Sequence, residues 1–382
     1  MSQSTTALAS LAGSTVMVMT MFSRMSLYRI SFSLLNGELA TAYTFFLRDR
    51  GPLTLTSTHR VQTFIHLFGG DRNQVTVLGQ SAGAGSITHH LTASKEDGNV
   101  PFHRAILQSP GWEHANSTDL WQKVLGTASV FSGHKVHNGK DLMSLDYDIL
   151  DAVNAYLVYN SPNGSFTFSP TPDGGYVPDF AERLLLDGHF DSKPRLMIGH
   201  NSNEAGSFVS PDIESEEELR EHLAPLFGSF RFESVDYLLD DLYPPPSDDT
   251  PYATQSERAK IIVKESSFSC NTRFLAVAYA NETLNYRFQV PPGIHGMDLP
   301  FTFYHDDATV ASADLAQAMQ LYFTSFVETG NVELGSVSGL IDWPEYGDDG
   351  EIVTFGLDGV NTDEDAMITA RCNFWRDPKY TK

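Results

Sequence analysis

The chain has 382 residues and an apolar content of 41%, enough to bury one large core or two average ones, which argues against global disorder. Its net charge of −23 should repel phosphate backbones and anionic lipid, so nucleic-acid partners are not expected. Two cysteines cannot build a dense disulfide scaffold or a four-cysteine zinc site, and no apolar run is long enough to span a membrane. A soluble acidic globular protein remains, with an enzyme among the options.

Short apolar strands alternate with helical patterns along the chain. This alternation predicts an α/β fold with a mostly parallel sheet. The predicted strands are rich in Val, Ile, Leu, Met or Thr, and several end at Gly or Pro. They cover residues 15–22, 75–78, 105–107, 196–198 and 286–290.

Two helices are marked clearly in the second half of the chain. Ser215 and Glu218 have the spacing of a capping box, which predicts a helix start. Another helix shows an apolar stripe, which we interpret as core packing. The stripe consists of Leu315, Met319, Tyr322, Phe323 and Phe326. Residues 243–249, with three prolines and two aspartates, predict a surface loop between these helices.

The strongest functional signal is the segment Gly79-Gln80-Ser81-Ala82-Gly83, between the strand at 75–78 and a helix-compatible run at 84–91. This context is the one that a nucleophile elbow requires. Small residues at 79 and 83 let strand and helix approach closely, so the serine hydroxyl projects above the sheet edge. The helix N-terminus and the Ala82 N–H would stabilise a developing oxyanion. A chance Gly/Ser turn is the alternative, and the flanking strand and helix disfavour it.

A serine nucleophile needs a base, and the base needs an orienting carboxylate. With this kind of turn the order along the chain is serine, acid, histidine. His295 follows the strand at 286–290, and Glu204 follows the strand at 196–198. Loops at strand ends are where such a sheet places catalytic groups. A loop glutamate is usually only a solvated charge, so position and order make Glu204 the best candidate acid.

The other histidines carry weaker signals. His89 and His90 fall on the helix after Ser81 and are interpreted as packing or surface residues. His134 and His137 are three positions apart, but no nearby carboxylate or cysteine set completes a metal site. No metal and no cofactor is therefore expected.

Several motifs in the same order along the chain resemble the type-B carboxylesterase family, which includes cholinesterases and fungal extracellular lipases. The resemblance runs from about residue 61 to residue 380, and its motifs are specific. It is carried by the elbow stretch at 68–83, the strand stretch at 102–109, segments 172–178 and 198–206, the histidine loop at 295–300, and the C-terminal segment 371–375.

The resemblance implies an α/β-hydrolase fold, with a mostly parallel sheet flanked by helices, and hydrolysis of carboxylic esters through a serine acyl-enzyme. It implies Ser81 as nucleophile, His295 as general base, Glu204 as the acid, and the Ala82 N–H as one oxyanion donor. Ser109 matches a polar position near the family's triad, where we expect an indirect supporting role at most. The implied substrates are small-molecule or lipid esters. The resemblance implies no particular oligomeric state.

The sequence departs from the family at two places. Gln80 stands where the family usually has Glu, and we expect little effect because this position is outside the triad. The family's His-Gly-Gly-Gly oxyanion segment has no counterpart in residues 1–80. We therefore expect a divergent segment over residues 1–60, which could hold one remnant strand, and an α/β-hydrolase domain over 61–382 that lacks the family's first strands. Losing one oxyanion donor typically costs about 10²–10³ in turnover, so impaired activity is expected.

Three hypotheses follow. The first is a serine carboxylesterase of the lipase type. The second is a catalytically inactive binding protein on the same fold, and retention of the whole triad counts against it. The third is a truncated gene product, from an altered reading frame or splice choice, without a stable fold.

The compartment stays open at this point. The family resemblance and three glycosylation sequons, at Asn116, Asn163 and Asn281, fit a secreted protein. Residues 1–23 carry no Lys or Arg, so no signal peptide is recognised. Cys270 and Cys372 could form one long-range bridge in an exported protein, or could have lost other partners.

Overall fold

The computed structural model describes residues 16–20, 28–33, 39–44, 53–93, 100–112, 117–161, 167–172, 174–227, 232–305, 309–334 and 340–376. Asn116 and Asn163, and therefore two of the three sequons, lie outside the described residues.

The described strands form a seven-stranded sheet and a separate two-stranded ladder. The large sheet has the order β1-β4-β5-β6-β7-β8-β9, and all its pairs are parallel except the last, between β8 and β9. The small ladder pairs β2 with β3 antiparallel. The strands are β1 (Val16–Thr20), β2 (Tyr28–Ser33), β3 (Leu39–Thr44), β4 (Val75–Gln80), β5 (Arg104–Gln108), β6 (Arg195–Asn201), β7 (Leu284–Phe288), β8 (Glu351–Gly356) and β9 (Gly359–Glu364).

The connections between the parallel strands from β4 to β8 contain helices, because parallel neighbours need a crossover connection. The helices are α1 (Leu53–Phe64), α2 (Ala82–Ala93), α3 (Ser117–Ser132), α4 (Gly139–Met143), α5 (Tyr147–Tyr159), α6 (Ala181–Leu186), α7 (Glu216–Phe227), α8 (Phe232–Tyr237), α9 (Gln255–Lys264), α10 (Cys270–Ala278), α11 (Leu299–Thr302), α12 (Ala313–Thr329) and α13 (Ala370–Arg376). A π-helical turn over Glu265–Ser269 joins α9 to α10.

Alternate residues of the central strands feed two cores, one on each face of the sheet. Val75, Val77 and Ala105 pack with α2 and α10 on one face. Leu78 and Ile106 pack with α12 on the other. Because both faces are covered, the strands read as continuous apolar runs rather than as an alternation. The stripe from Leu315 to Phe326 is buried in the second core, which confirms its interpretation as core packing.

The five predicted strands are all present, although most of their ends differ by one to three residues, among them the C-terminal ends of β6 and β7. β6 runs through Gly199 to Asn201 because the glycine leaves room for a neighbouring ring. A Cβ at Gly199 would lie 2.1 Å from ring atoms of Tyr286. β7 ends at Phe288, two residues earlier than predicted, ahead of the cis peptide bond between Pro291 and Pro292.

The structure confirms the predicted capping box but only part of the predicted surface loop. The capping box is confirmed, because Glu218 N–H donates to the Ser215 hydroxyl and Ser215 N–H donates to the Glu218 carboxylate. The surface-loop prediction at 243–249 is wrong at its first residue. Tyr243 is fully buried, because its hydroxyl donates to Glu265 inside the protein.

The N-terminal prediction is tested only in part. β1 pairs in parallel with β4, so a strand does occur within residues 15–22. The hairpin of β2 and β3 was not predicted. The division into a segment at 1–60 and a domain at 61–382 stays a prediction.

Candidate active site

Ser81 lies at the turn between β4 and α2 with a backbone φ of +58°, a conformation that non-glycine residues seldom adopt. Strain of this kind is retained only where the surroundings enforce it, and it clusters at functional positions. A Cβ on Gly79 would lie 2.5 Å from the Gly83 carbonyl carbon, so position 79 must lack a side chain for the close approach of strand and helix. This is the steric role that the sequence predicts for position 79, and the same role for position 83 stays a prediction.

Backbone hydrogen bonds hold the turn from both sides. Ser81 N–H donates to the Gln108 carbonyl at 2.9 Å, and Gly111 N–H donates to the Ser81 carbonyl at 3.1 Å. Ala82 is the first residue of α2, so its N–H precedes the intrahelical ladder and is open to a ligand atom. The role of oxyanion donor expected for this N–H stays a prediction.

Glu204 and His295, 91 positions apart in sequence, form a hydrogen-bonded pair. Glu204 begins a 3₁₀ turn just after β6, and His295 lies in the loop after β7. His295 Nδ1 and Glu204 Oε2 are 2.5 Å apart, and the side chains are 10% and 0% exposed. The second oxygen of Glu204 accepts the Asn201 N–H at 2.5 Å. Both strand-end loops therefore deliver their side chains to one edge of the sheet.

The surroundings of Glu204 keep it ionised. Burial pushes the pKa of Glu204 upward, but the charge of His295 and hydrogen bonds from His295, Ser109 and Asn201 outweigh it. The net result is a pKa below the usual range of a glutamate. An ionised carboxylate can only accept, so Nδ1 of His295 carries the proton of that hydrogen bond.

The other ring nitrogen of His295 is bonded to Gln80 rather than to Ser81. Gln80 Nε2 lies 3.2 Å from His295 Nε2. With Nδ1 protonated, Nε2 of the neutral ring is an acceptor, and the carboxamide N–H is its donor. Among the described residues, no hydrogen bond joins the Ser81 hydroxyl to His295. The expectation that Gln80 has little effect is untested, yet its side chain contacts the candidate base directly.

Ser109 lies beside the acid, not beside the candidate nucleophile. Its φ is +49°, and its hydroxyl accepts a hydrogen bond from Asn201 Nδ2 at 3.1 Å and donates to Glu204. It can help to hold the carboxylate, as the indirect role predicted for it would require.

A buried carboxyl group, Asp298, was missed by the sequence analysis. It lies three residues after His295 and is hydrogen-bonded by the side chains of Gln108, Tyr286 and Asn201. Burial raises its pKa above the usual range of an aspartate. Polar residues at the carboxyl ends of β5 and β6 were the available signal, because such residues gather at one sheet edge.

Two aromatic rings also escaped the sequence analysis. The Phe268 ring centroid lies 4.3 Å from that of His295, and the Phe208 centroid lies 5.3 Å from it. Their positions depend on long-range packing, and no local pattern marks them.

The four other histidines considered in the sequence are not members of this pair. His89 and His90 are buried on α2, where burial lowers their pKa values to about 4 and about 3, as packing residues require. His134 and His137 are exposed. Within the described part of the chain, no three His, Cys, Asp or Glu side chains cluster as a metal site would need.

Cys270 and Cys372 form a disulfide, with their Cα atoms 5.2 Å apart. This settles the alternative left open by the sequence. The bond ties the start of α10 to the short helix α13, across a separation of 102 positions.

Comparison with known proteins identifies the family of this chain. The profile of the carboxylesterase family matches residues 57–375, and the chain belongs to that family.

Individual relatives of this chain are named carboxylesterases and lipases. Carboxylesterase patB of Penicillium expansum is 33% identical over 328 residues, which cover 84% of this chain and 57% of the relative. A secreted lipase of Arthroderma benhamiae is 28% identical over 333 residues, covering 83% of this chain and 62% of the relative. The chain thus spans about three fifths of the length of these curated relatives.

The fold agrees as well. Aspergillus niger EstA superposes with a TM-score of 0.70 at 20% identity, over 85% of this chain and 67% of that one. The protein therefore has the α/β-hydrolase fold that the resemblance implied.

Proposed function

We propose that this chain hydrolyses carboxylic esters through a serine acyl-enzyme. The observation that carries the proposal is the buried Glu204–His295 pair, which contacts the residue next to the strained turn at Ser81. Membership of the carboxylesterase family and relatives named esterases and lipases support it.

The proposed reaction proceeds in two halves. The Ser81 oxygen attacks the ester carbonyl carbon while its proton passes to His295 Nε2, and Glu204 stabilises the resulting imidazolium. Collapse of the tetrahedral intermediate breaks the bond to the alcohol, which leaves with that proton. Water then attacks the acyl group with His295 as base again, which releases the acid and restores the serine.

We further propose that turnover is impaired. The 382 residues contain no His-Gly-Gly-Gly segment, so the Ala82 N–H is the one oxyanion donor that we assign. A missing donor typically costs about 10²–10³ in turnover. The Gln80 contact adds to this, because the carboxamide must leave His295 Nε2 before Ser81 can use it.

Labelling and turnover test this function together. A fluorophosphonate should label the wild-type protein at Ser81, and p-nitrophenyl butyrate should be hydrolysed slowly. Ser81→Ala should abolish both. Ser86→Ala is the matched control, because that hydroxyl bonds only to the Ala82 carbonyl one turn back on α2, and it should retain both. A folded wild-type protein that takes no label would overturn the proposal.

The inactive binding protein is the second candidate. The occupied lone pair of His295 favours it, because a blocked base cannot activate the serine. Turnover above that of Ser81→Ala would exclude it, whereas a folded wild-type protein that shows neither labelling nor turnover would support it.

We also propose that the protein is secreted and glycosylated. The Cys270–Cys372 disulfide fits an oxidising compartment, and relatives from two fungi are named secreted lipases. Asn281 lies at the turn before β7, where its amide bonds to Asp348. No helix in the described ranges is long and apolar enough to cross a bilayer. Recovery of the native protein only inside cells and without glycan would contradict this proposal.

A further inference from the structure

The π-helical turn between α9 and α10 carries Phe268 onto the face of His295. The two ring centroids are 4.3 Å apart, with an angle of 40° between the planes. Phe268 itself is 1% exposed and stacks on Phe208 at 5.6 Å. A π-helical turn takes one more residue than an α-helical turn, and such turns are frequent at functional sites. The extra residue re-aims the side chains of this segment relative to a regular helix.

Gly111 shapes the other side of the Phe268 ring. A Cβ at this position would lie 2.8 Å from Cε1 of Phe268 and 3.7 Å from the carbonyl carbon of Ser81. The ring therefore fills a slot between the serine turn and the imidazole. The backbone φ of Gly111 lies outside the left-handed region, so an alanine there would be strained only by the ring.

The π-helical turn is fixed from the C-terminal helix. Glu265, its first residue, accepts two hydrogen bonds at 2.8 Å from Arg371 of α13. It also accepts the Tyr243 hydroxyl at 2.7 Å. The disulfide from Cys270 to α13 begins at the residue that follows the turn. The segment that carries Phe268 is thus held to α13 at both ends, by a bidentate ion pair at Glu265 and by the disulfide at Cys270.

We propose that Phe268 is a positioning residue that sets the plane of the His295 ring for Ser81, and that α13 holds it there through the π-helical turn. This inference rests on the proposed function. Once Gln80 releases Nε2, the hydrogen bond to Glu204 fixes only one atom of the imidazole and leaves the ring free to swing about that contact. A flat aromatic face at 4.3 Å removes this freedom, so Nε2 keeps a constant direction.

A double-mutant cycle tests the mechanical part of the proposal. Phe268→Leu removes the flat contact, and Gly111→Ala forces the ring toward His295. Each should lower the rate of fluorophosphonate labelling and kcat by about tenfold or more, with KM changed less, because a misplacement near 1 Å can cost about 10²-fold. The double variant should be no slower than Phe268→Leu alone, since the smaller side chain gives the alanine room.

Phe274→Leu is the matched control. Phe274 is equally buried, lies on α10 and has no ring contact with His295, so this variant should melt at a lower temperature yet be labelled at the wild-type rate. Labelling of Phe268→Leu at the rate of Phe274→Leu would overturn the proposal. So would a double variant in which the two losses multiply.

The imidazole resonances of His295 give a readout that does not need activity. In wild type they should be displaced by the ring current of Phe268, and Phe268→Leu should shift them more than Phe274→Leu does. Equal shifts in the two variants would overturn the inference. A wild-type protein that is not labelled but shows the expected resonance shifts would sink the proposed function and leave the positioning role standing.

Discussion

At the scale of single residues, Gln80 is the least expected feature of the site. Its carboxamide bonds to the nitrogen of His295 that must receive the serine proton. A neutral amide can donate to the unprotonated ring, and it can turn its oxygen toward a protonated one. The carboxamide must give up this hydrogen bond before Nε2 can accept the serine proton.

Gln80→Leu should therefore speed fluorophosphonate labelling of Ser81 by about two- to tenfold, because a hydrogen bond to His295 Nε2 of about 0.5–1.5 kcal/mol no longer has to be broken first. Gln62→Leu is the control, because it removes a carboxamide on α1 that donates to the Pro101 carbonyl, and it should leave the labelling rate unchanged. Equal labelling rates for the two variants would contradict this interpretation of the Gln80 contact.

At the scale of elements, the seven-residue helix α13 is too short to be stable alone. Three contacts hold it: the disulfide, the ion pair of Arg371 with Glu265, and the Trp375 N–H that donates to the Tyr243 hydroxyl at 2.7 Å. Since Glu265 opens the π-helical turn, the same contacts stabilise a segment that packs on the site.

Reduction of the disulfide should lower the melting temperature, because the bond constrains a long loop in the unfolded chain. Removing a native disulfide typically costs about 2–5 kcal/mol. A thermal melt with and without reductant measures the effect. A Cys270→Ser/Cys372→Ser variant is the control, because its melting temperature should be the same with and without reductant. An unchanged melt of the wild type under full reduction, verified by thiol titration, would contradict the prediction.

At the scale of the whole molecule, buried histidines couple stability to pH. Burial lowers the pKa of His200 to about 4, and those of His89 and His90 to about 4 and about 3. The unfolded chain binds protons near pH 6.5, so between that pH and about 4 it holds more protons than the folded one. Stability therefore falls as the pH is lowered through this window. Glu204, with its lowered pKa, acts in the same direction because its favourable ionised contacts are lost on protonation.

The melting temperature should accordingly drop between pH 7 and pH 4.5, and His200→Gln should make the drop shallower. Each unit of pKa difference between the folded and unfolded states changes the free energy of unfolding by about 1.4 kcal/mol, so the effect of one buried histidine is large enough to measure. His134→Gln is the control, since that side chain is exposed and should leave the slope as it is. A His200→Gln slope equal to that of wild type would show that this histidine does not contribute.

The α/β architecture, the serine turn and the chain order of the candidate acid and base can all be predicted from the amino-acid sequence. These depend on local patterns: apolar runs of strand length, the Gly79 and Gly83 spacing, and polar residues directly after strands. The strand end at Asn201 was less predictable, since β6 continues through Gly199 beneath the ring of Tyr286, which is distant in sequence.

Long-range packing sets which nitrogen of His295 faces which partner, brings Phe268 onto its ring, and pairs Cys270 with Cys372. Contacts between residues some 30 to 215 positions apart arise from how helices pack on the sheet, and no local pattern encodes them. The serine turn can be predicted from the sequence because a tight turn depends on neighbouring residues. The contacts of the His295 ring cannot, because Gln80, Glu204 and Phe268 come to it from separate segments of the chain.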